Sequence, residues 1–158
     1  MAKFKYFSAF ILPFLAIVSF NSTGILAYGA IIVLYIVVPI AEQLFPPDRE
    51  NFDELEKKLA EEDIFYDWVM YLMVPVHLYV VYAFLTSINE PGLALSDTIA
   101  RVLTMGTVLG VIGINVGHEL GHKTRDMVKQ VFAQVLLTTS VQNHFMPYHN
   151  GGHHKDIG

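Results

Sequence analysis

YFSAFILPFLAIVSFNSTGILAYGAIIVLYIVVPIA, running from Tyr6 to Ala41, contains no charged residue. An apolar helix crosses a bilayer in about 20 residues, with a range of roughly 17–25. This stretch is too long for one crossing and about right for two. The cluster Asn21-Ser22-Thr23-Gly24 near its middle is of the type that marks a turn. The pattern predicts a helical hairpin with arms over 6–20 and 24–41. Lys3 and Lys5 ahead of the apolar core Phe7–Phe20 also have the outline of a secretory signal. No small-x-small cleavage site follows, and a second apolar run does, so the hairpin is the preferred reading.

Two further apolar runs follow. One covers 68–85 and is interrupted only by His77; the other covers 98–117, with Arg101 near its start. Between the second and third runs, Pro46-Pro47 precede a charged stretch from Asp53 to Asp63. Leu55 and Leu59 sit there at i,i+4, as in a short surface helix. Asn89-Glu90-Pro91-Gly92 forms a turn between the third and fourth runs. After the fourth, residues 126–143 are amphipathic. Val128, Val131, Phe132, Val135 and Leu136 share one face, and Lys129, Gln130, Gln134 and Thr138 the other. That pattern suits a helix lying in the membrane interface rather than one crossing it. The expected fold is all-α and multi-pass, about four spans plus an amphipathic helix at the cytoplasmic face, in one domain over 1–158.

The composition agrees. Of 158 residues, 53% are hydrophobic and 16% charged, and the mean hydropathy is +0.43. Soluble domains carry about 25% charged residues. Disorder is excluded, since it needs low hydrophobicity and high charge. With no cysteine, disulfide scaffolds, thiol catalysis and cysteine-ligated zinc or iron–sulfur sites are excluded too. A net charge of −5 leaves no basic surplus for nucleic acid. Four spans put Lys3, Lys5, Arg49, Lys57, Lys58, Lys123, Arg125, Lys129 and Lys155 on one side of the membrane. By the positive-inside rule that side is cytoplasmic. The N-terminus lies there, and so does the region after the fourth span.

That region holds six of the seven histidines, between 118 and 154. The first element is His118-Glu119-Leu120-Gly121-His122. On a helix its two imidazoles share a face one turn apart and can converge on one metal ion. The second is His149-Asn150-Gly151-Gly152-His153-His154, whose glycines permit the bends that turn three rings toward one point. His144 stands five residues before it and is a candidate for the same site. His77, alone in mid-span, is expected to face protein with a hydrogen-bond partner. H-E-x-x-H is also the zinc metalloprotease motif, with the glutamate as general base. The extended form of that motif fails, because Arg125 and Val128 stand where its glycine and third histidine belong. Five or more histidines exceed what one catalytic zinc uses. They suit two metal ions with nitrogen ligands, for which iron is well matched. Glu119 would then hold a ring tautomer by hydrogen bonding. A straight helix from Lys123 to Asn143 would carry the second element about 30 Å away. Either the helix bends or residues 144–154 fold back.

HELGHK at His118–Lys123 and HNGGHH at His149–His154 resemble the first two histidine boxes of the membrane alkane 1-monooxygenases. These belong to the wider group of integral-membrane di-iron desaturases and hydroxylases. The likeness extends to the layout of the chain and to His144-Phe145 ahead of the second box. It implies two irons held by histidines at the cytoplasmic ends of helices, with His118, His122, His149, His153 and His154 as ligands. It also implies dioxygen-dependent hydroxylation of the terminal carbon of an alkane, with electrons from a rubredoxin, in the cell inner (plasma) membrane. Tyr148 stands where the family commonly has a glutamate. A third box and the last two spans are absent by Gly158, so the chain resembles the N-terminal fragment of a longer enzyme, not expected to turn over alone. Other readings are a fatty acyl desaturase or hydroxylase of the same group, an H-E-x-x-H membrane zinc protease using Glu119, and a metal-binding membrane protein without turnover. Gly106, Gly110, Gly113 and Gly117 lie on the fourth helix just before His118. They permit close helix packing or, alternatively, line a substrate groove.

Overall fold

A computed structural model describes residues 2–45 and 63–145. The surface helix expected around Leu55 and Leu59 and the second histidine motif at 149–154 lie outside the described residues. The described residues form helices and turns. α1 (Tyr6–Phe20) is short, and three helices are long and apolar enough to cross a membrane: α2 (Gly24–Leu44), α3 (Ile64–Ser87) and α4 (Leu95–His122). A fifth, α5 (Met127–Thr139), follows α4 after a short turn. The hairpin turn falls at Asn21–Thr23, as the polar cluster predicts. The third and fourth helices are longer than their apolar runs. Asp63 starts α3 early, its side chain accepting from Phe65 N at 3.0 Å. α4 continues to His122, which places HELGH on the helix itself.

In lipid, water does not drive helices together, so small residues and hydrogen bonds must. The α1–α2 contact is of that kind. Ala16, Ser19, Ala27 and Ala30 are fully buried, and Ala30 N donates to Ser19 Oγ at 3.1 Å. One apolar core joins Leu12, Ala16 and Phe20 of α1 to Val80 of α3 and Met105, Val108 and Ile112 of α4. A second joins Val74 of α3, Leu120 of α4 and Ala133 and Leu136 of α5. Beyond its first turns α2 presents Tyr35, Ile36, Val37, Ile40 and Leu44 outward, the composition a lipid-facing helix needs.

The end of the bundle remote from His122 is tied by a polar network. Arg101 is 1% exposed, and its Nη1 donates to Ser87 O at 2.6 Å and Glu90 Oε2 at 2.9 Å. Its Nη2 donates to Ser22 O at 3.3 Å. Asp97 Oδ1 accepts from Gly24 N at 2.8 Å. One guanidinium therefore closes both turns at that end. Tyr6 and Phe7 pack their rings on Tyr66 and Phe65, which brings the starts of α1 and α3 together at the opposite end.

α5 is held by two of the spanning-length helices. It runs parallel to α3 and antiparallel to α4, in the groove between them. Three rungs fix the register against α3: Lys129 on Asp67, Phe132 on Tyr71 and Thr139 on His77. Ten residues separate the outer rungs on each helix, so the contact extends about 15 Å along α3, half a hydrocarbon core. The chain folds back at Lys123–Asp126, immediately after His122. Asp126 caps the new helix by accepting from Val128 N and Lys129 N.

Candidate metal centre

The last turn of α4 presents His118 and His122 as the i,i+4 spacing predicts. Their Nε2 atoms lie 2.7 Å apart and their ring centroids 4.4 Å apart. Leu120 and Gly121 are buried on the packed side of this turn, and both imidazoles are half-buried. The end of the helix is held from α5, where Gln130 Nε2 donates to Gly121 O at 2.9 Å. Phe145 seats edge-on against His118, with ring centroids 5.4 Å apart and planes at 88°.

This pair fits a metal ion. Two nitrogens bound at about 2.1 Å and a right angle would stand about 3 Å apart, close to the separation observed. Two ligands do not complete a centre. Among the described residues no group of three or more His, Cys, Asp or Glu side chains is placed to hold a metal. His149, His153 and His154 lie outside the described residues. Glu119 is exposed. His144 is exposed and adjoins Phe145. His77 is fully buried away from this pair and shares a 2.9 Å hydrogen bond with Thr139 Oγ1, the protein-facing partner expected of it.

Beside the pair lies a depression of about 400 Å³ lined by His122, Lys123, Thr124, Arg125, Asp126 and Lys129. Lys129 is 9% exposed and donates to both Asp67 oxygens, at 2.8 and 2.7 Å. That hydrogen bond holds its ammonium above the ordinary lysine value of 10.5. Hydropathy alone placed Lys129 on an outward polar face. A signal for the pair was available in Asp67, an acid on the threshold of an apolar run. Of the four glycines, only two are packing contacts. A Cβ at Gly117 would meet Leu137 Cγ at 3.0 Å, and one at Gly113 would overlap Ser140 Oγ. Nothing lies within 4 Å of a Cβ at Gly106 or Gly110.

Helices of spanning length, with two imidazoles converging at the end of one, define a multi-pass membrane protein. No protein-family model matches the chain. It is 32% identical over 147 residues to an alkane 1-monooxygenase of Pseudomonas putida, a match covering 92% of this chain and 36% of that protein. It is 30% identical over 131 residues to alkane 1-monooxygenase 1 of Alcanivorax borkumensis, covering 82% and 32%. An alkane 1-monooxygenase of Acinetobacter baylyi is 32% identical over 133 residues, covering 83% and 32%. The chain is similar to these alkane 1-monooxygenases over most of its own length, and it spans about a third of theirs.

Proposed function

We propose that this chain is the N-terminal part of an alkane 1-monooxygenase. In this reading the enzyme hydroxylates the terminal carbon of an alkane with dioxygen, at a di-iron site held by histidines, with electrons from a rubredoxin. The observation that carries it is the convergence of the His118 and His122 Nε2 atoms at the end of a spanning helix, in a chain whose relatives bear that name. His118 and His122 would hold one edge of the site, with His149, His153 and His154 supplying the other ligands. When bound, the irons supply dioxygen activation. The chain's own part is to fix the ring positions and to keep water away. Leu120 and Gly121 close the packed side of the helix end, and Phe145 covers one edge of His118. An alkane offers no polar handle, so its orientation must come from apolar walls, which spanning helices provide.

The proposed location is the inner membrane, with the histidine end cytoplasmic. Lys123, Arg125 and Lys129 cluster at that end, while Arg101 at the other is bound into the turn network. The test is elemental analysis of the full-length protein, together with product analysis on supplied alkanes. About two irons per chain and a primary alcohol are expected. An unsaturated or hydroxylated acyl product would transfer the assignment to the desaturase group. A single zinc, with peptide cleavage abolished by Glu119→Gln, would replace it with a protease.

A further inference from the structure

Val141 has φ +58°, the one non-glycine residue with positive φ among the described residues. It follows the last turn of α5. Gln142 N donates to Leu137 O at 2.7 Å and Val141 N to Thr138 O at 3.0 Å, the pair of bonds that closes a helix through a left-handed residue. Glycine is the usual occupant of that position. An L-residue costs about 1–2 kcal/mol there, and a β-branched one is a genuine outlier. The Val141 side chain is 81% exposed, so its own packing does not repay this strain.

The residues just before it are locked. Thr139 Oγ1 shares a 2.9 Å hydrogen bond with His77 Nε2. Ser140 Oγ shares its one proton between Leu136 O at 3.0 Å and Leu109 O at 3.3 Å, and the side chain rests on Gly113. Leu109 opens a π-helical turn, Leu109–Ile114, whose backbone departs from the regular α-helical bonding of the rest of α4. Beyond Val141 the chain reverses. Ser140 is level with Gly113 of α4, and five residues later Phe145 is level with His118, itself five residues beyond Gly113.

We infer that the His77–Thr139 and Ser140–Leu109 contacts, with left-handed Val141, form a positioning device for the histidine site. They stop α5 at the depth of Gly113 and turn the chain back along α4. Phe145 is thereby seated on His118, four positions before His149 in the sequence. The inference rests on the proposed function in treating His118 as a metal ligand. The reversal itself is a matter of geometry.

The test uses the full-length protein in detergent, with spin labels on cysteines introduced at the exposed positions Lys123 and Asn143. The 158 residues contain no cysteine, and any cysteine outside them is first replaced by serine. The parent is expected to give one narrow inter-label distance. Val141→Gly should keep that distance and raise the melting temperature, since glycine takes the same φ without strain. Ser140→Leu removes the bond to Leu109 and places bulk on Gly113, so the distance should lengthen and broaden and bound iron should fall. If Ser140→Leu does not fold, Thr139→Val carries the same expectation, because it deletes a hydroxyl at nearly constant volume. An unchanged distance in Ser140→Leu and Thr139→Val, or a broadened one in Val141→Gly, would overturn the inference. A parent without iron whose distance still responds in this way would leave the device standing and defeat the di-iron reading instead.

Discussion

Replacing Gly113 and Gly110 of α4 by alanine, one at a time, should move stability in opposite directions. In a helix interior alanine is favoured over glycine by about 0.8–1.0 kcal/mol. At Gly110 a Cβ meets nothing within 4 Å, so Gly110→Ala is expected to be neutral or stabilising by up to that amount. At Gly113 the added Cβ overlaps Ser140 Oγ and comes to 3.2 Å from His77 Cε1 and Ser140 Cβ. α5 must then shift. Overpacking costs about 1–3 kcal/mol. Losing the Ser140–Leu109 and His77–Thr139 bonds adds about 0.5–1.5 kcal/mol each. Set against the propensity gain, a net loss of about 1–5 kcal/mol is expected for Gly113→Ala. At about 2–4 °C per kcal/mol for a chain of this size, the melting temperature should fall by several degrees. The assay is thermal unfolding of the detergent-solubilised protein, followed by circular dichroism. Adding Ser140→Gly should recover part of the loss. A Gly113→Ala variant that melts at or above the parent would refute the packing account. Loss of alkane turnover in Gly106→Ala or Gly110→Ala, with melting unchanged, would instead restore the substrate-groove reading for that face.

Three further outcomes follow from the same structure. Arg101→Ala leaves the Ser87 and Ser22 carbonyls without their donor and should cost about 2–4 kcal/mol. Glu90→Gln should cost under about 1 kcal/mol, because that carboxylate is half exposed and surface pairs contribute little; equal losses in a chemical-denaturation series would contradict this division. Asp67→Asn strands a buried ammonium and should destabilise by about 1–3 kcal/mol, whereas Lys129→Met should be nearly neutral. Because the folded Lys129 titrates above its ordinary value of 10.5, the stabilisation from this pair is complete below that pH and lost only as pH rises through the folded value. Melting temperatures between pH 6 and 9 should therefore show no dependence that Lys129→Met removes. His118→Ala and His122→Ala should each lower bound iron while melting close to the parent, since both rings are half exposed at a helix end; undiminished iron in either would remove that residue from the site.

Much of the fold was legible because it rests on one-dimensional signals. An uncharged run broken by Asn21–Thr23 gives the hairpin, and the H-x3-H spacing puts two rings on one helical face. Helix ends were less legible. Asp63 and the polar first turn after Leu95 carry α3 and α4 beyond their apolar runs through caps and buried bonds that hydropathy does not weigh. The glycine pattern on α4 was visible, but its split into two packing sites and two open positions depends on where α5 lies. Arg101 shows the same limit. As a letter it is one basic residue near a span end, and only the meeting of two turns 65 residues apart makes it a structural clasp.

α5 shows why the remainder was out of reach. Its period was correct and its phase was not. The expected apolar face holds Val128 and Val131, yet both are exposed, while Lys129, Ala133, Leu136 and Leu137 are buried. Reading amphipathicity as apolar-in and polar-out assumes water on the far side. A helix packed along two spanning helices has no such contrast, because valines lose nothing by facing lipid and unsatisfied polar groups lose several kcal/mol. Lys129, Thr139 and Ser140 accordingly turn inward, each to a partner at least 31 positions away in sequence: Asp67, His77 and the Leu109 carbonyl. Polar residues on a membrane-associated helix are therefore better read by asking which distant acid, imidazole or freed carbonyl could receive them. By that rule Asp67 and His77, ten residues apart on α3, already mark the two levels at which α5 is held.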